Sequence, residues 1–457
     1  MRIGLASLGC AKNLVDSEVM LGLLRDAGHQ ITPDAGDADV LVVNTCAFVE
    51  EARQESIDTI LEMATRKGNG SRRLIVTGCL AERYRDELLE HLPEIDVLLG
   101  TDEVEAIVEA VNGRQVPAAG AFGGTPPRAA RHRDRQTPPP TYLYDERTPR
   151  HRATPRHYAY LKVAEGCDYN CAFCIIPVLR GPYRSRTARS IVDEARSLAA
   201  EGVREILLIS QDTTFYGVDR RERNALVPLL RELDLIPGLA RIRLLYLYPT
   251  TLSDAVLDAM AECDKVCPYV DLPLQHAAGD VLRRMHRPGG RREYEALLDR
   301  VRRTLGDVTL RTTVIVGFPG ETEADFGELR SFIESVEFDH LGVFTYSHEE
   351  GTAAHGLPDD VPPAVKAARR SELMRIQRSI VGRRNRGRLG QTVEVMVDGS
   401  SPEHELVLQG RLAGQAPEID PVVYLTDCDP GVLVPGSVHD VRVVAARGYD
   451  LVARPLS

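Results

Sequence analysis

Three cysteines lie within eight residues of one another in the stretch EGCDYNCAFCIIP, as Cys167, Cys171 and Cys174. A structural zinc site usually closes with four ligands, often in CxxC pairs, and no fourth cysteine or histidine lies at a suitable spacing here. Three thiolates on one tight loop instead suit a cubane iron–sulfur cluster that keeps one iron free of protein ligands. The spacing therefore predicts an iron–sulfur centre, with structural zinc and ordinary buried thiols as the alternatives.

Three further cysteines are far apart in the sequence but follow the same kind of segment. Cys10 follows RIGLASLG, Cys46 follows DVLVVNT and Cys79 follows RLIVTG, and each of these runs is rich in β-forming residues. Because the spacings of 36 and 33 residues match successive strand–helix units, we expect the thiols at the same height of a parallel sheet. Ligands of such sheets collect beyond the carboxyl ends of the strands. The pattern predicts a second three-cysteine site, with three buried thiols as the alternative.

The elements that would position the scattered cysteines lie in residues 1–112. Near-continuous apolar strands alternate there with amphipathic helical stretches, which indicates a doubly wound parallel sheet. Residues 113–152 are rich in proline and arginine and lose the apolar periodicity, so we interpret them as a linker.

The CxxxCxxC loop belongs to a second region of alternating strands and helices, residues 153–386. Six strand–helix units predict a partial (βα)6 barrel with its active site at the carboxyl ends of the strands, closed by a basic helix within residues 365–390. Short alternating runs in residues 387–457 predict a small all-β barrel. The expected fold class is thus α/β with a small all-β module at the carboxyl end.

Composition indicates the cellular compartment of the protein. The chain has 457 residues, a formal net charge of −11, 43% hydrophobic residues and nine cysteines. An odd number of cysteines argues against a disulfide framework. No apolar run reaches the length of a membrane helix, and no signal peptide pattern is present. We therefore expect a cytoplasmic protein that does not enter a membrane.

A CxxxCxxC loop after the first strand of a partial barrel resembles the radical S-adenosylmethionine (SAM) superfamily. The resemblance implies that the open iron of a 4Fe-4S cluster binds SAM, and that an electron donor drives its cleavage to a 5′-deoxyadenosyl radical. It also implies that Phe173 lies near the adenine. Other residues expected to contact SAM or substrate follow the predicted strands, namely Gln211, Asp212, Gln275, His276, Arg311, Gly317 and Gly320.

The order of the three regions narrows the resemblance to the methylthiotransferases. In that family an amino-terminal three-cysteine domain precedes the radical SAM core, and the small β-module is called TRAM. The resemblance implies that Cys10, Cys46 and Cys79 hold an auxiliary 4Fe-4S cluster whose open iron binds the sulfur to be inserted. Two 4Fe-4S clusters and SAM are therefore the expected cofactors, with one SAM supplying a methyl group and another the radical.

Two branches of this family differ in their target. The stretches SLGCAKNLVDSE, CIIPVLRGPYRSR, LISQDTTFYG and LPLQHAAGDVLRRMHRP resemble the branch that modifies the β-carbon of an aspartate in small-subunit ribosomal protein twelve. The motifs typical of the tRNA adenosine branch are not found. Four arginines and ten carboxylates give residues 390–457 a charge of −6, which disfavours RNA and favours a basic protein partner. The alternatives are a tRNA methylthiotransferase and an iron–sulfur electron carrier or scaffold.

The remaining cysteines and the last barrel strand carry weaker signals. We interpret Cys263, Cys267 and Cys428 as buried or incidental thiols. Tyr346 and Ser347 follow the last predicted barrel strand, where they face substrate or pack the barrel mouth.

Overall fold

A computed structural model describes residues 1–67, 72–114, 139–429 and 431–456 of the chain. The chain forms two compact units, each made of several stretches of sequence. The first unit comprises Met1–Ala153, Ala164–Ile191 and Glu349–Ala353, and the second comprises Thr154–Val163, Val192–His348 and Ala354–Ser457. Most of the predicted linker, residues 115–138, lies outside the described residues. The predicted domain limits at residues 112, 152 and 386 stay predictions.

The strands are numbered along the chain. They are β1 (Arg2–Ser7), β2 (Gln30–Ile31), β3 (Val40–Thr45), β4 (Arg73–Gly78), β5 (Val97–Leu99), β6 (Tyr158–Lys162), β7 (Ala164–Glu165), β8 (Arg184–Ser185), β9 (Glu205–Ile209), β10 (Arg241–Leu244), β11 (Tyr269–Asp271), β12 (Thr309–Val316), β13 (His340–Thr345), β14 (Thr392–Ser401), β15 (His404–Arg411), β16 (Val423–Leu425), β17 (Val438–Arg447) and β18 (Asp450–Pro455).

The helices are numbered in the same way. They are α1 (Ala11–Asp26), α2 (Glu50–Lys67), α3 (Cys79–Arg83), α4 (Arg85–His91), α5 (Ile107–Asn112), α6 (Ile176–Arg180), α7 (Ala188–Ala200), α8 (Leu226–Asp234), α9 (Asp254–Glu262), α10 (Gly279–Arg284), α11 (Arg291–Leu305), α12 (Glu323–Val336) and α13 (Pro363–Gly387). Of the helices in the described part of the chain, none is both long and apolar enough to cross a membrane.

The first unit is built on a five-stranded parallel sheet with the strand order β2-β1-β3-β4-β5. All six residues of β3 are buried, as expected for a central strand of a parallel sheet. The strand order reverses at β1 and β3, which makes their carboxyl ends the topological switch point where doubly wound folds bind ligands. The doubly wound prediction is confirmed, and the two-residue strand β2 is the element that the sequence pattern did not reveal.

The second unit contains the six predicted barrel strands, all in parallel pairs within two sheets, β10-β9-β6 and β11-β12-β13. A parallel bridge connects Ile242 of β10 with Val266, three residues before β11. Along β12 four buried side chains alternate with four half-buried ones, the pattern of a strand that packs one face against helices. The partial six-stranded barrel is therefore confirmed.

The strands from β14 onward form a closed barrel in the order β14-β15-β16-β18-β17 around an apolar core. The loop after β15 packs against the amino ends of the parallel strands. Glu418 accepts hydrogen bonds from the hydroxyls of Tyr158 and Tyr160 at 2.8 and 2.9 Å, and Asp420 accepts one from Tyr269 at 2.7 Å. The small β-barrel therefore covers the end of the larger barrel opposite to the one where barrel active sites lie.

A buried ion cluster fixes this contact inside the second unit. Glu205, at the start of β9, lies 2.8 Å from Arg243 of β10 and 2.8 Å from Arg411 of the small barrel, and none of the three side chains is more than 1% exposed. Burial by itself raises the pKa of Glu205, but the two guanidinium groups lower it to about 2. The carboxylate is thus charged at neutral pH and joins the two barrels.

Candidate metal centres

The three scattered cysteines lie just beyond the carboxyl ends of three neighbouring strands. Strands β1, β3 and β4 are adjacent and end at one level in the register of the sheet. Cys10 is the N-terminal cap of α1, Cys46 directly follows β3, and Cys79 is the first residue of α3. The structure therefore brings them to one edge, as the spacing predicts, whereas their role as metal ligands stays a prediction.

A glycine with positive φ precedes Cys10 and Cys79. Gly9 has a φ of 87° and Gly78 a φ of 94°, values that favour glycine. A Cβ atom at Gly78 would lie 2.6 Å from the carbonyl oxygen of Thr45, so the turn before Cys79 packs directly against the end of β3. The two glycine turns thus form a cradle, a close approach of neighbouring strand ends that leaves no room for a side chain at either glycine.

Burial makes two of these thiols hard to ionise. Burial and the Cys10 sulfur raise the pKa of Cys46, and burial raises the pKa of Cys79 to about 12. Against this effect, Arg180 donates a hydrogen bond from Nη2 to the Cys79 sulfur at 3.7 Å and lowers the Cys79 pKa. Since a metal binds the thiolate, Arg180 favours the form of Cys79 that could bind iron.

Buried amide side chains connect the strand ends behind the thiols. Asn13 donates from Nδ2 to the carbonyl oxygens of Leu8 at 2.7 Å and Thr45 at 3.3 Å. Asn44 donates to the carbonyl oxygen of Asn13 at 2.9 Å and to Oγ of Ser17 at 2.7 Å. The sequence analysis did not single out these amides. The signal that could have found them is an asparagine two or three residues from each of Cys10 and Cys46.

The CxxxCxxC loop lies between β7 and α6 in the first unit, and its three cysteines and Phe173 are half-buried. The N–H of Cys167 donates to the carbonyl oxygen of Gly181 at 3.0 Å, and that of Cys174 to the carbonyl oxygen of Cys171 at 3.0 Å. Both bonds join residues of one short segment. Local backbone geometry therefore presents these thiols.

Two predicted cofactor residues follow β11 in the second unit. Gln275 has a φ of 74° and bridges through its backbone to Val314 of β12. His276 is fully buried, and its Nδ1 accepts the N–H of Ala278 at 3.0 Å. Burial lowers the pKa of His276 to about 3, so the ring is neutral, and its Nε2 has no hydrogen-bond partner among the described residues. Such a buried polar atom fits a bound polar group.

Gln211 and Asp212 follow β9 in the same unit. Asp212 accepts a hydrogen bond from the N–H of Thr214 at 2.9 Å and caps the turn that begins there. This contact gives Asp212 a structural task. The role of Gln211 toward a cofactor stays a prediction.

Gly317 and Gly320 flank the turn after β12, each with a φ of 74°. A Cβ atom at Gly317 would lie 2.3 Å from Cγ of Lys366 on α13, so packing inside the second unit already explains this glycine. Glu321 accepts the N–H of Gly317, and Asp360 accepts the N–H of Gly320 at 2.7 Å. Close approach of this turn to adenosine stays a prediction.

Arg311 does not lie with the strand-end residues as expected. It is the third residue of β12, five residues before the strand ends at Val316, a distance of about 16 Å along a strand. Its guanidinium lies 2.7 Å from Asp271 and 3.4 Å from Asp420. Of these partners, Asp420 belongs to the loop that packs against the amino ends of the strands. A contact with a cofactor stays a prediction that this placement does not support.

The weaker candidates pack into the fold. Cys263 and Cys267 are buried and Cys428 is half-buried, and burial raises the pKa of all three thiols. Tyr346 is buried edge-on against Phe318, with ring centroids 5.1 Å apart. Ser347 is half-buried.

The donor chemistry of both cysteine sets fits iron–sulfur clusters. Within the described ranges, no three His, Cys, Asp or Glu side chains surround a position for one metal ion. A cubane cluster has a different requirement, because each thiolate binds a different iron and the sulfurs need not meet at one point. Three thiols at one sheet edge, with a cradle and a cation beside them, suit that requirement.

Comparison with family models assigns the three regions. Residues 2–100 match the uncharacterized protein family UPF0004, residues 161–333 match the radical SAM superfamily, and residues 389–456 match the TRAM domain. These matches agree with the sheet, the partial barrel and the closed β-barrel described above.

Relatives of known name align with the whole chain. The ribosomal protein uS12 methylthiotransferase RimO of Koribacter versatilis is 45% identical, with 100% of this chain and 96% of the relative covered. The proteins of the same name from Trichlorobacter lovleyi and Symbiobacterium thermophilum are 45% and 47% identical, with 99% of this chain and 97% and 90% of the relatives covered. These relatives confirm the resemblance to methylthiotransferases seen in the motifs.

Among solved structures, the chain resembles the radical S-adenosylmethionine methyltransferase TsrM from Kitasatospora setae, a structure with cobalamin and a [4Fe-4S] cluster bound. The TM-score is 0.55 at 17% identity, over 77% of this chain and 76% of that chain. At this identity the likeness supports the fold alone.

Proposed function

Because the chain belongs to the RimO family of radical SAM methylthiotransferases, we propose that it attaches a methylthio group to the β-carbon of an aspartate in ribosomal protein uS12, small-subunit protein twelve. The observation that carries the proposal is the presence of two three-cysteine sites in one chain, one on a loop and one at the switch point of a sheet. A radical step and a sulfur insertion need separate centres, and each site offers one.

In this proposal the two cysteine sites have different roles. Cys167, Cys171 and Cys174 would hold a 4Fe-4S cluster with SAM, and Cys10, Cys46 and Cys79 would hold a second 4Fe-4S cluster. When bound, these groups supply one-electron chemistry at SAM and sulfur for insertion. An electron donor and a cytoplasmic location belong to the same proposal.

The chain's own residues bind and orient these groups. We assign contact with SAM to Phe173, Gln211, Gln275, His276, Gly317 and Gly320, and we leave out Arg311 because its guanidinium pairs with Asp271 and Asp420. His276 has the most direct support, because its neutral ring leaves Nε2–H as a buried donor without a partner among the described residues. Arg180 would stabilise the thiolate of Cys79.

The charge of the TRAM module supports a protein target. Within the second unit, contacts already use Arg411, Glu394, Asp398, Glu418 and Asp420. The rest of residues 390–457 carries three arginines and six carboxylates, a charge of −3. Phosphates of tRNA would be repelled by this module, whereas a basic ribosomal protein would be attracted to it.

Four of the eight cations of the basic helix α13 pair with carboxylates inside the second unit, which reduces the positive charge that the helix offers to RNA. Arg369 lies 3.0 Å from Glu321, Arg384 pairs with Asp339, and Lys366 lies 2.6 Å from Asp359. Cations that are already paired contribute little to phosphate binding.

The test is to incubate the reconstituted enzyme with SAM and dithionite, separately with uS12 and with tRNA, and to measure the mass of each product. We expect the mass of a methylthio group on an aspartate-containing peptide of uS12. Modification of tRNA alone would overturn the choice of target, and the absence of 5′-deoxyadenosine would favour an electron carrier or scaffold.

A charge reversal tests the recognition argument separately. Asp427→Lys with Asp429→Lys changes two exposed carboxylates of the TRAM module, and we expect slower modification of uS12 with a weaker dependence on salt. The matched control is Glu55→Lys with Asp58→Lys on the exposed face of α2, which should leave the rate unchanged. Equal rates for both variants would contradict recognition by the TRAM charge.

A further inference from the structure

An arginine from the segment of the CxxxCxxC loop reaches a cysteine of the scattered set. Arg180 is the last residue of α6, and its side chain is 4% exposed. Its Nη2 donates to the Cys79 sulfur at 3.7 Å across 101 positions of sequence. Both residues belong to the first unit. The contact therefore joins the two motifs within one compact unit.

Four partners hold the guanidinium in place. Nη1 donates to Asp16 at 2.7 Å and to Glu165 at 3.0 Å, and Nη2 donates to Asn13 Oδ1 at 3.3 Å as well as to Cys79. The planar fork of arginine matches this arrangement, and an ammonium group does not offer the same set of donors. Arg180 is therefore fixed with one N–H edge toward the sulfur.

The two carboxylates that pair with Arg180 are themselves buried. Asp16 and Glu165 are 4% and 5% exposed, and together they outweigh the single positive charge of Arg180. Loss of Arg180 would leave two buried carboxylates without this cation in the unit that contains Cys79. In a dry site such charge–charge interactions are strong.

Hydrogen bonds to sulfur and local charge are two of the factors that set the reduction potential of an iron–sulfur cluster. A donor and a positive charge beside a thiolate stabilise the reduced, more negative state. We propose that Arg180 is a positioning residue that raises the reduction potential of the cluster held by Cys10, Cys46 and Cys79 through its hydrogen bond to the Cys79 sulfur. This inference rests on the two-cluster function proposed above.

The test uses the full chain with Cys167, Cys171 and Cys174 changed to alanine, which leaves the scattered cysteines as the cluster site. The reconstituted protein is titrated with dithionite while the reduced cluster is followed by electron paramagnetic resonance. We expect Arg180→Gln to move the midpoint potential to a more negative value. Arg180→Lys should move it in the same direction by less, because the charge remains while the fork is lost.

The matched control is Arg83→Gln. Arg83 is also buried and also paired with a carboxylate, Glu349 at 2.9 Å, but it makes no hydrogen bond to a thiol in the described structure. We expect an unchanged potential for this variant, and an equal shift in it would overturn the inference.

Two other results separate the inference from the proposed function. An unchanged potential in Arg180→Gln, or in Arg180→Lys if the glutamine variant holds no iron, would overturn the role of Arg180 alone. Absence of iron from the chain that lacks the loop cysteines would overturn the two-cluster proposal, and this inference with it.

Discussion

The scattered site (Cys10, Cys46 and Cys79) and the loop site (Cys167, Cys171 and Cys174) each contain three cysteines but are assembled in opposite ways. The loop presents Cys167, Cys171 and Cys174 by hydrogen bonds within one short segment, and all three are half-buried. The scattered site needs three strands in register before its thiols share an edge, and exposure varies from exposed Cys10 to buried Cys79. One site therefore depends on local geometry and the other on the whole sheet.

Both sites contain a cysteine that follows a glycine with positive φ. Gly166 precedes Cys167 with a φ of 85°, close to the values at Gly9 and Gly78. The same Gly–Cys turn thus delivers a thiol from a strand of the sheet and from the loop after β7. What differs is the neighbour against which each turn packs, which is another strand end in the sheet and the same segment in the loop.

Removal of the cysteines has the largest expected effect and divides the chemistry. Cys10, Cys46 and Cys79 changed to alanine should abolish methylthio transfer but leave reductive cleavage of SAM, because the loop site is intact. The corresponding variant of Cys167, Cys171 and Cys174 should abolish both. Chromatography of 5′-deoxyadenosine and mass measurement of uS12 check this. Loss of SAM cleavage in both variants would contradict the assignment of SAM cleavage to the loop site alone.

Substitution of the glycines compares the two assemblies. Gly78→Ala should lower the free energy of unfolding by about 3 kcal/mol, from left-handed backbone strain and overpacking against β3, and should empty the scattered site of iron. Gly166→Ala meets the carbonyl oxygen of Pro182 at 2.0 Å and should empty the loop site. We expect less effect on stability than for Gly78→Ala, because a loop segment can shift to relieve the clash while a central strand of the sheet cannot. Denaturant unfolding and iron analysis measure both. Equal destabilisation would contradict the contrast between sheet and loop.

The polar support behind each site should show the smallest effect. Asn13→Ala removes a 2% exposed amide that binds two strand-end carbonyls, and we expect a loss of about 1–2 kcal/mol of stability. Asp168→Ala is the matched change in the loop, where an exposed carboxylate accepts the N–H of Tyr183 at 2.9 Å. It should cost less than about 0.5 kcal/mol. A larger loss of stability for Asp168→Ala than for Asn13→Ala would show that the loop, not the sheet, depends on polar support.

Features that depend on contacts close in sequence were predicted well, and features that depend on distant contacts were not. The loop site follows from the spacing of three cysteines, and the edge formed by Cys10, Cys46 and Cys79 follows from the phase of three strands. Arg180 was beyond prediction because its contact with Cys79 requires the packing of segments 101 positions apart.

The position of a residue along its strand was the second feature that the sequence did not predict. Arg311 was grouped with strand-end residues, but it is the third residue of β12, and Asp420, from the loop that packs against the amino ends of the strands, lies 3.4 Å from its guanidinium. Asp420 comes from the TRAM module, and nothing in the apolar pattern of β12 indicates that the module would contact this strand.

Iron and sulfide quantitation on anaerobically reconstituted protein tests the central claim most directly. The wild-type chain should hold about eight irons, and the variant with Cys10, Cys46 and Cys79 changed to alanine should hold about four, since each cubane cluster has four. The variant of the loop cysteines should also hold about four. An iron content equal to wild type in the first variant would contradict the account of two separate cluster sites.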